Sequence, residues 1–208
     1  MFLVSDSFPP HGWIPDTFAF GKHDPVSHFA FAGNQNPHLR WGDVPDGTKS
    51  FAILCFDDDT PSRGDDVNQE GREVPLDLPR VRFWHWLLLD VPADVREIAA
   101  GSHSAGVKAM GKGPTAQPFG TTGINDYTSW FAGTEGMKGH YYGYDGPAPP
   151  WNDARVHAYQ FLILALNVET TGMHGSFDGT KAMTALHSHI LGSASHVGLY
   201  AINPNARR

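Results

Sequence analysis

The chain has 208 residues, 40% of them hydrophobic and 18% charged, with a formal net charge of −7. That balance is globular rather than disordered, and the length suits one domain spanning 1–208. It excludes the basic face of a nucleic-acid binder, because Lys and Arg are scattered singly, and it leaves at most peripheral contact with an anionic membrane.

The 23 glycines and 16 prolines separate short, bulky apolar runs, which predicts a mainly β fold: a β-sandwich of antiparallel sheets with short C-terminal helices. Met1-Phe2-Leu3-Val4-Ser5-Asp6 lacks a basic region followed by a long apolar stretch and does not read as a signal peptide. No run is long enough to span a bilayer, so the expected location is cytoplasmic. Residues 1–20 predict one or two short strands broken by Pro9-Pro10 and Pro15, and residues 21–40 are polar and loop-like. Val44-Pro45-Asp46-Gly47-Thr48 is a turn in which Pro sets its own φ and Gly accepts a positive one.

Phe51–Phe56 is continuously apolar and predicts a buried strand. The lone Cys55 lies inside it and reads as a small buried hydrophobe, not a nucleophile; one cysteine allows no intrachain disulfide. Asp57-Asp58-Asp59-Thr60-Pro61 follows, and then residues 62–82, charged and Pro-bearing, predict a long exposed loop. Phe83–Val91 is a second strand that stops at Pro92, residues 101–150 are Gly-rich and irregular, and His157–Val168 is a third strand. Met183, Leu186, Ile190 and Val197 recur at helical spacing, with Asp178 or Thr180 as a cap and Gly192 as a break.

Among the 12 histidines, His11, His23, His28, His38 and His103 sit in polar, turn-rich surroundings and read as surface residues. His85 and His157 stand at or near the start of strongly apolar strands, where an imidazole is costly to bury unless hydrogen-bonded. Either one alone reads as a core histidine satisfied by a backbone carbonyl. Asp57 and Asp59 are two apart, so a strand continuing through them would aim both carboxylates at one spot; taken alone they read as a solvated acidic turn. Three strand ends carrying Asp-x-Asp, His-Trp and His-x-Tyr, with a stiff Gly-Pro loop near the third, together resemble the rim of a pocket. Its histidines, held by carboxylates, could present N–H donors to an anion.

The ordered motifs Asn36-Pro37-His38-Leu39-Arg40-Trp41, Pro45-Asp46-Gly47-Thr48-Lys49-Ser50-Phe51, Asp57-Asp58-Asp59-Thr60-Pro61, His85-Trp86 with Val91-Pro92, Tyr144-Asp145-Gly146-Pro147-Ala148-Pro149-Pro150 and His157-Ala158-Tyr159 resemble the phosphatidylethanolamine-binding protein family, also called the Raf kinase inhibitor protein family, in its bacterial branch. The resemblance runs from about residue 36 to 168, with Leu186-His187-Ser188 and Tyr200 similar in the tail. It implies a β-sandwich with a small anion pocket. The pocket residues it implies are Asp57, Asp59, His85, Gly146, Pro147, His157 and Tyr159. It also implies phosphate, carboxylate-like anions or phospholipid headgroups as ligands, a protein partner such as a kinase in eukaryotic members, and homodimers in some bacterial ones. This chain departs from the pattern at Asp58, where the motif has Pro, at Ala158, where it has Arg, and in a longer loop at 62–82. Arg155 could take the place of the missing Arg.

The expectation is therefore a non-enzymatic small-anion binder with no catalytic residues, metal or cofactor. The alternative is a hydrolase or metal-dependent enzyme using the Asp/His cluster, although no His-Glu-x-x-His or Gly-x-Ser-x-Gly is present. Apolar residues near Tyr127, Trp130 and Phe131 could form the face of a homodimer.

Overall fold

Two long antiparallel ladders, joined through one central strand, organise the computed structural model, which describes residues 1–114 and 117–207. The first strands in chain order are β1 (Phe2–Val4), β2 (Gly12–Trp13), β3 (Gly21–Lys22), β4 (Ala30–Phe31) and β5 (Leu39–Gly42). The long strands β6 (Ser50–Pro61) and β7 (Arg80–Pro92) follow, then the short β8 (Glu97–Ile98) and β9 (Thr121–Thr122). Helix α1 (Tyr127–Trp130), β10 (His157–Leu166), α2 (Gly179–Leu186) and β11 (Ile190–Tyr200) complete the chain.

A six-stranded sheet in the order β2-β11-β10-β6-β7-β9 faces a three-stranded sheet, β1-β5-β8. Alternation along the long strands supplies both faces. Ile53, Cys55, Trp86, Leu88, Phe161 and Ile163 point toward Leu3, Leu39 and Trp41 of the smaller sheet. Leu54, Leu87, Leu89 and Leu164 point the other way, where Ala182 and Leu186 of α2 cover them. Side chains of this size each contribute about 1.5–3 kcal/mol on full burial. Strand β6, paired with β10 on one edge and β7 on the other, is therefore apolar on both faces, which is why its sequence is a continuous run. Cys55 is buried there, and burial raises its thiol pKa well above the ordinary value. Every pairing in the large sheet is antiparallel except β2 with β11, which is parallel. Among the described residues no helix is long and apolar enough to cross a membrane.

The strands predicted at 51–56, 83–91 and 157–168 are all present, as Ser50–Pro61, Arg80–Pro92 and His157–Leu166. The tail differs from expectation. Asp178 caps α2 through the Lys181 N–H, but the helix ends at Leu186, and Ile190 and Val197 lie on β11 instead. Gly192, Ser193, Ser195 and Gly198 are weak helix formers, and the open edge of β10 offers this segment a full ladder of backbone partners. The loop after β6 reaches only to residue 79 and is pinned: Asn152 Nδ2 donates to the carbonyls of Asp66, Gln69 and Arg72, and Val74 bridges to Asp153.

Candidate functional site

Two irregularities in strand pairing build the site. Along β7, Trp84 pairs with Phe56 and Trp86 with Cys55, so His85 is an extra residue opposite no partner. Such a bulge re-aims the side chain, and His85 joins Phe83 on the side of the sheet that carries Asp57. Along β6 the register slips between Asp57 and Thr60. Tyr159 of β10 pairs directly with Asp57, and His157 begins the same strand. Asp57, His85, His157 and Tyr159 thereby line one cavity of about 210 Å³.

His157 is held from both sides. Its Nδ1–H donates to Asp57 Oδ2 at 2.6 Å and its Nε2–H to Asp153 Oδ2 at 3.1 Å. Burial opposes the charged ring, but Asp57 and Asp153 outweigh it and hold the pKa up at about 9, so the ring is an imidazolium. Burial likewise opposes the Asp57 charge; His157 and the Asp59 N–H overcome it and hold the carboxyl below its usual range. Arg80 caps the row with a bidentate contact to Asp153. The buried sequence Asp57, His157, Asp153, Arg80 is thus charge-balanced.

His85 is different. Its Nδ1 donates to the Asp145 carbonyl at 2.8 Å, and the Asp145 N–H returns a bond to the His85 carbonyl at 3.0 Å. Burial lowers its pKa despite Asp57 and the Asp145 carbonyl. The ring is therefore neutral and protonated on Nδ1, and Nε2 is left as a lone pair toward the cavity, with no partner among the described residues. Tyr159, also buried in the lining, packs edge-on to His85 with ring centroids 5.1 Å apart. Asp145 itself is fixed by the side-chain amides of Asn34 and Asn125 and by the Lys112 ammonium. Gly146 follows because any larger residue fails: a Cβ there would lie 2.1 Å from the Phe18 carbonyl oxygen.

Of the seven residues expected at the pocket, four line it. Asp59 does not, because the slip in β6 breaks the two-residue alternation. Its carboxylate turns to Arg155 and the Ala158 N–H instead. Gly146 and Pro147 lie behind the lining. Gly146 O accepts the Tyr127 hydroxyl and Pro147 O accepts the N–H groups of Phe20 and Gly21, and this brings Ala148, Pro149 and Pro150 to the wall. His157 has no N–H left for an anion, contrary to the expected donor role. Asp58 forms a bidentate pair with Arg82 at the surface. His103 is buried rather than exposed, its pKa pushed down by burial to about 4, and His38 is mostly covered between Asp6 and Glu97. Tyr127 is buried in the wall, so it is not part of an exposed dimer face. Sequence reasoning missed Asp153, Arg80, Lys112 and Asn34. Asp153, four residues before His157, carried the one readable signal.

The remaining wall is mostly aromatic and apolar, with Phe20, Phe29, Phe31, Phe83, Tyr127, Trp130, Phe131 and Met137, and also carries the polar side chains of Thr60 and Asn68. Among the described residues no three His, Cys, Asp or Glu side chains converge as metal ligands.

A family model described as phosphatidylethanolamine-binding protein matches residues 4–201. The chain belongs to the phosphatidylethanolamine-binding protein family. Within the family it is similar to the UPF0098 protein YbhB of Escherichia coli K12, 32% identical over 170 residues that cover 81% of this chain and 82% of that protein. It is also similar to a UPF0098 protein of Aquifex aeolicus VF5, 27% identical over 184 residues that cover 88% and 84%. The crystal structure of Escherichia coli YbcL, described as a new member of the mammalian PEBP family, shares the fold with a TM-score of 0.70 at 23% identity, covering 97% of this chain and 98% of that one. These relatives put the chain in the family's bacterial branch.

Proposed function

We propose that the protein is a non-enzymatic binding module for a small anion, a phosphate or carboxylate group, received at His85 and Tyr159 above the His157 imidazolium. The observation that supports this most directly is the His85 ring, with Nδ1 anchored on the Asp145 carbonyl and Nε2 turned to the cavity. Among the described residues Asp57 and His157 are the only charged side chains in the lining, and they cancel each other. An anion arriving at Nε2 therefore brings a proton or draws one from water. His85 becomes a second imidazolium, and the site gains the positive charge that the resting state lacks. Two further features suit this reading. The surroundings are apolar, which strengthens a charge-assisted bond, and the Asp145 network fixes the ring before the ligand arrives. A phospholipid headgroup and a free phosphate offer the same chemistry.

Titration calorimetry with inorganic phosphate tests it. His85→Ala is expected to weaken binding roughly 10- to 100-fold, the equivalent of losing one charge-assisted hydrogen bond of about 1.5–3 kcal/mol. Equal affinity in the variant and the parent would overturn the proposal.

A further inference from the structure

We infer that the anion bound here carries a single flat aromatic arm, so that the ligand is an aryl-substituted anion rather than a bare phosphate or one with a polar arm. This deepens the anion-binding reading and rests on it.

Size is the first ground. The cavity measures about 210 Å³, whereas an apolar cavity of roughly 150 Å³ is enough to hold benzene. A phosphate group at His85 leaves most of that space empty, while a phosphate joined to one ring fills it. Shape is the second. Phe20 and Tyr127 stack with centroids 4.4 Å apart at 18°, and Tyr127 and Phe131 follow at 5.6 Å and 15°. The three rings pack into one aromatic wall, with Phe20 and Phe131 tilted 32° to each other, and such a wall prefers an incoming ring to a floppy chain. Exposure at the mouth is the third. Phe31 and Trp130 line the cavity yet remain 52% and 46% exposed. Large exposed aromatics gathered at the mouth of a pocket mark a surface that a ligand covers.

An ammonium arm lacks a matching carboxylate: besides Asp57, His85, His157 and Tyr159 the lining offers the polar side chains of Thr60, whose hydroxyl donates to Asp57 Oδ2, and Asn68, whose Oδ1 accepts the Trp151 N–H. Asp57 is the single carboxylate in the lining, and its oxygens are already bonded to the Asp59 N–H, the Thr60 hydroxyl and the His157 ring. An ammonium arm finds no free carboxylate among the described residues of the wall.

The test is calorimetry on the full chain at one pH and ionic strength with four probes: inorganic phosphate, phenyl phosphate, n-butyl phosphate and phosphoethanolamine. Phenyl phosphate is expected to bind at least tenfold more tightly than inorganic phosphate. Butyl phosphate should gain less, and phosphoethanolamine should gain nothing. In Trp130→Ala and Phe31→Ala, both changes at exposed positions, the ratio of phenyl phosphate to inorganic phosphate affinity should fall toward one. Phenyl phosphate and inorganic phosphate binding within twofold of each other would overturn the aromatic arm while leaving anion binding intact. Butyl phosphate or phosphoethanolamine matching phenyl phosphate would overturn it as well. Failure of all four probes would remove both readings together.

Discussion

The His157 ring donates Nδ1–H to Asp57 Oδ2 across 2.6 Å, joining two residues 100 positions apart in the chain. Both side chains are almost wholly buried, at 1% and 3% exposure. A buried pair of this kind makes a small net contribution when intact but is costly to break, because the surviving charge has no water to turn to. Asp57→Asn is therefore expected to destabilise the protein by about 3–5 kcal/mol, read as a lower urea midpoint. A loss under 1 kcal/mol would mean that the ring is not charged in the folded protein.

The same pair sets the alkaline side of the stability profile. The folded pKa of His157 is raised to about 9 from an ordinary 6.5. Its contribution is therefore complete below pH 6.5 and is lost as pH rises through 9, when the folded protein gives up a proton that the unfolded chain has already released. Stability should decline between pH 7 and 9 in the parent protein, by about 2 kcal/mol, and decline less in Asp57→Asn. Urea midpoints collected across that range make the comparison, and parallel curves for the two proteins would contradict it.

His103 shapes the acid side with the opposite sign. Burial lowers its pKa to about 4, and its Nε2 is buried without a hydrogen-bond partner among the described residues. The unfolded chain takes up a proton near pH 6.5 that the folded protein refuses until about 4, so stability falls as pH drops through that window. Buried His85 and His196 act in the same direction. His103→Leu, an apolar replacement beside Trp86 and Phe119, should flatten part of the fall between pH 6.5 and 4. Thermal melts at several pH values would show it, and an acid limb of unchanged slope would speak against His103 as a source.

These assignments show how far the sequence carries. The three long strands were legible because continuous apolar runs bounded by Pro and Asp leave few alternatives, and His85, His157, Asp57 and Tyr159 were legible because polar groups at the ends of such runs need a reason. The bulge at His85 and the slip after Asp57 were not legible: each inserts a residue into a pairing whose partner lies far away in the chain. That is why Asp59 was expected in the cavity and lies outside it. His103 misled because its neighbours in sequence are Ser and Gly, while its neighbours in space are Trp86 and Phe119. The tail misled because a stretch with helical spacing was claimed by the open edge of β10.

Asn152 controls the loop beside the cavity. Its amide nitrogen serves the carbonyls of Asp66, Gln69 and Arg72 at 2.8, 3.3 and 3.0 Å, and its oxygen accepts the Asn68 N–H at 2.9 Å. Asn68 also lines the cavity. Asn152→Ala strips the loop of these four contacts at once, at a cost of about 1–3 kcal/mol. Because the backbone bridge of Val74 to Asp153 and the contacts of Arg80 and Arg155 still hold the C-terminal part of the loop, the opening should be local rather than global. Trypsin should then cut after Arg72 several-fold faster than in the parent, and an unchanged digestion rate would mean that the loop is held by other contacts.

Ligand binding should move a proton. His85 is neutral in the resting protein because burial outweighs the pull of Asp57 and the Asp145 carbonyl, and its Nδ1–H is committed to that carbonyl. A bound anion adds negative charge beside Nε2 and raises the ring pKa, so binding and protonation reinforce each other. Above the ordinary histidine range, phosphate affinity should fall as pH rises, approaching about tenfold per pH unit. Calorimetric titrations with inorganic phosphate at pH 8, repeated in buffers of different ionisation enthalpy, should give heats that differ by the uptake of nearly one proton per anion. In His85→Gln, which keeps an amide N–H for the Asp145 carbonyl but cannot titrate, the buffer dependence should vanish. Buffer-independent heats in the parent protein would mean that the anion meets an imidazole that stays neutral, and the charge balance of the cavity would then favour a ligand that arrives with its own proton.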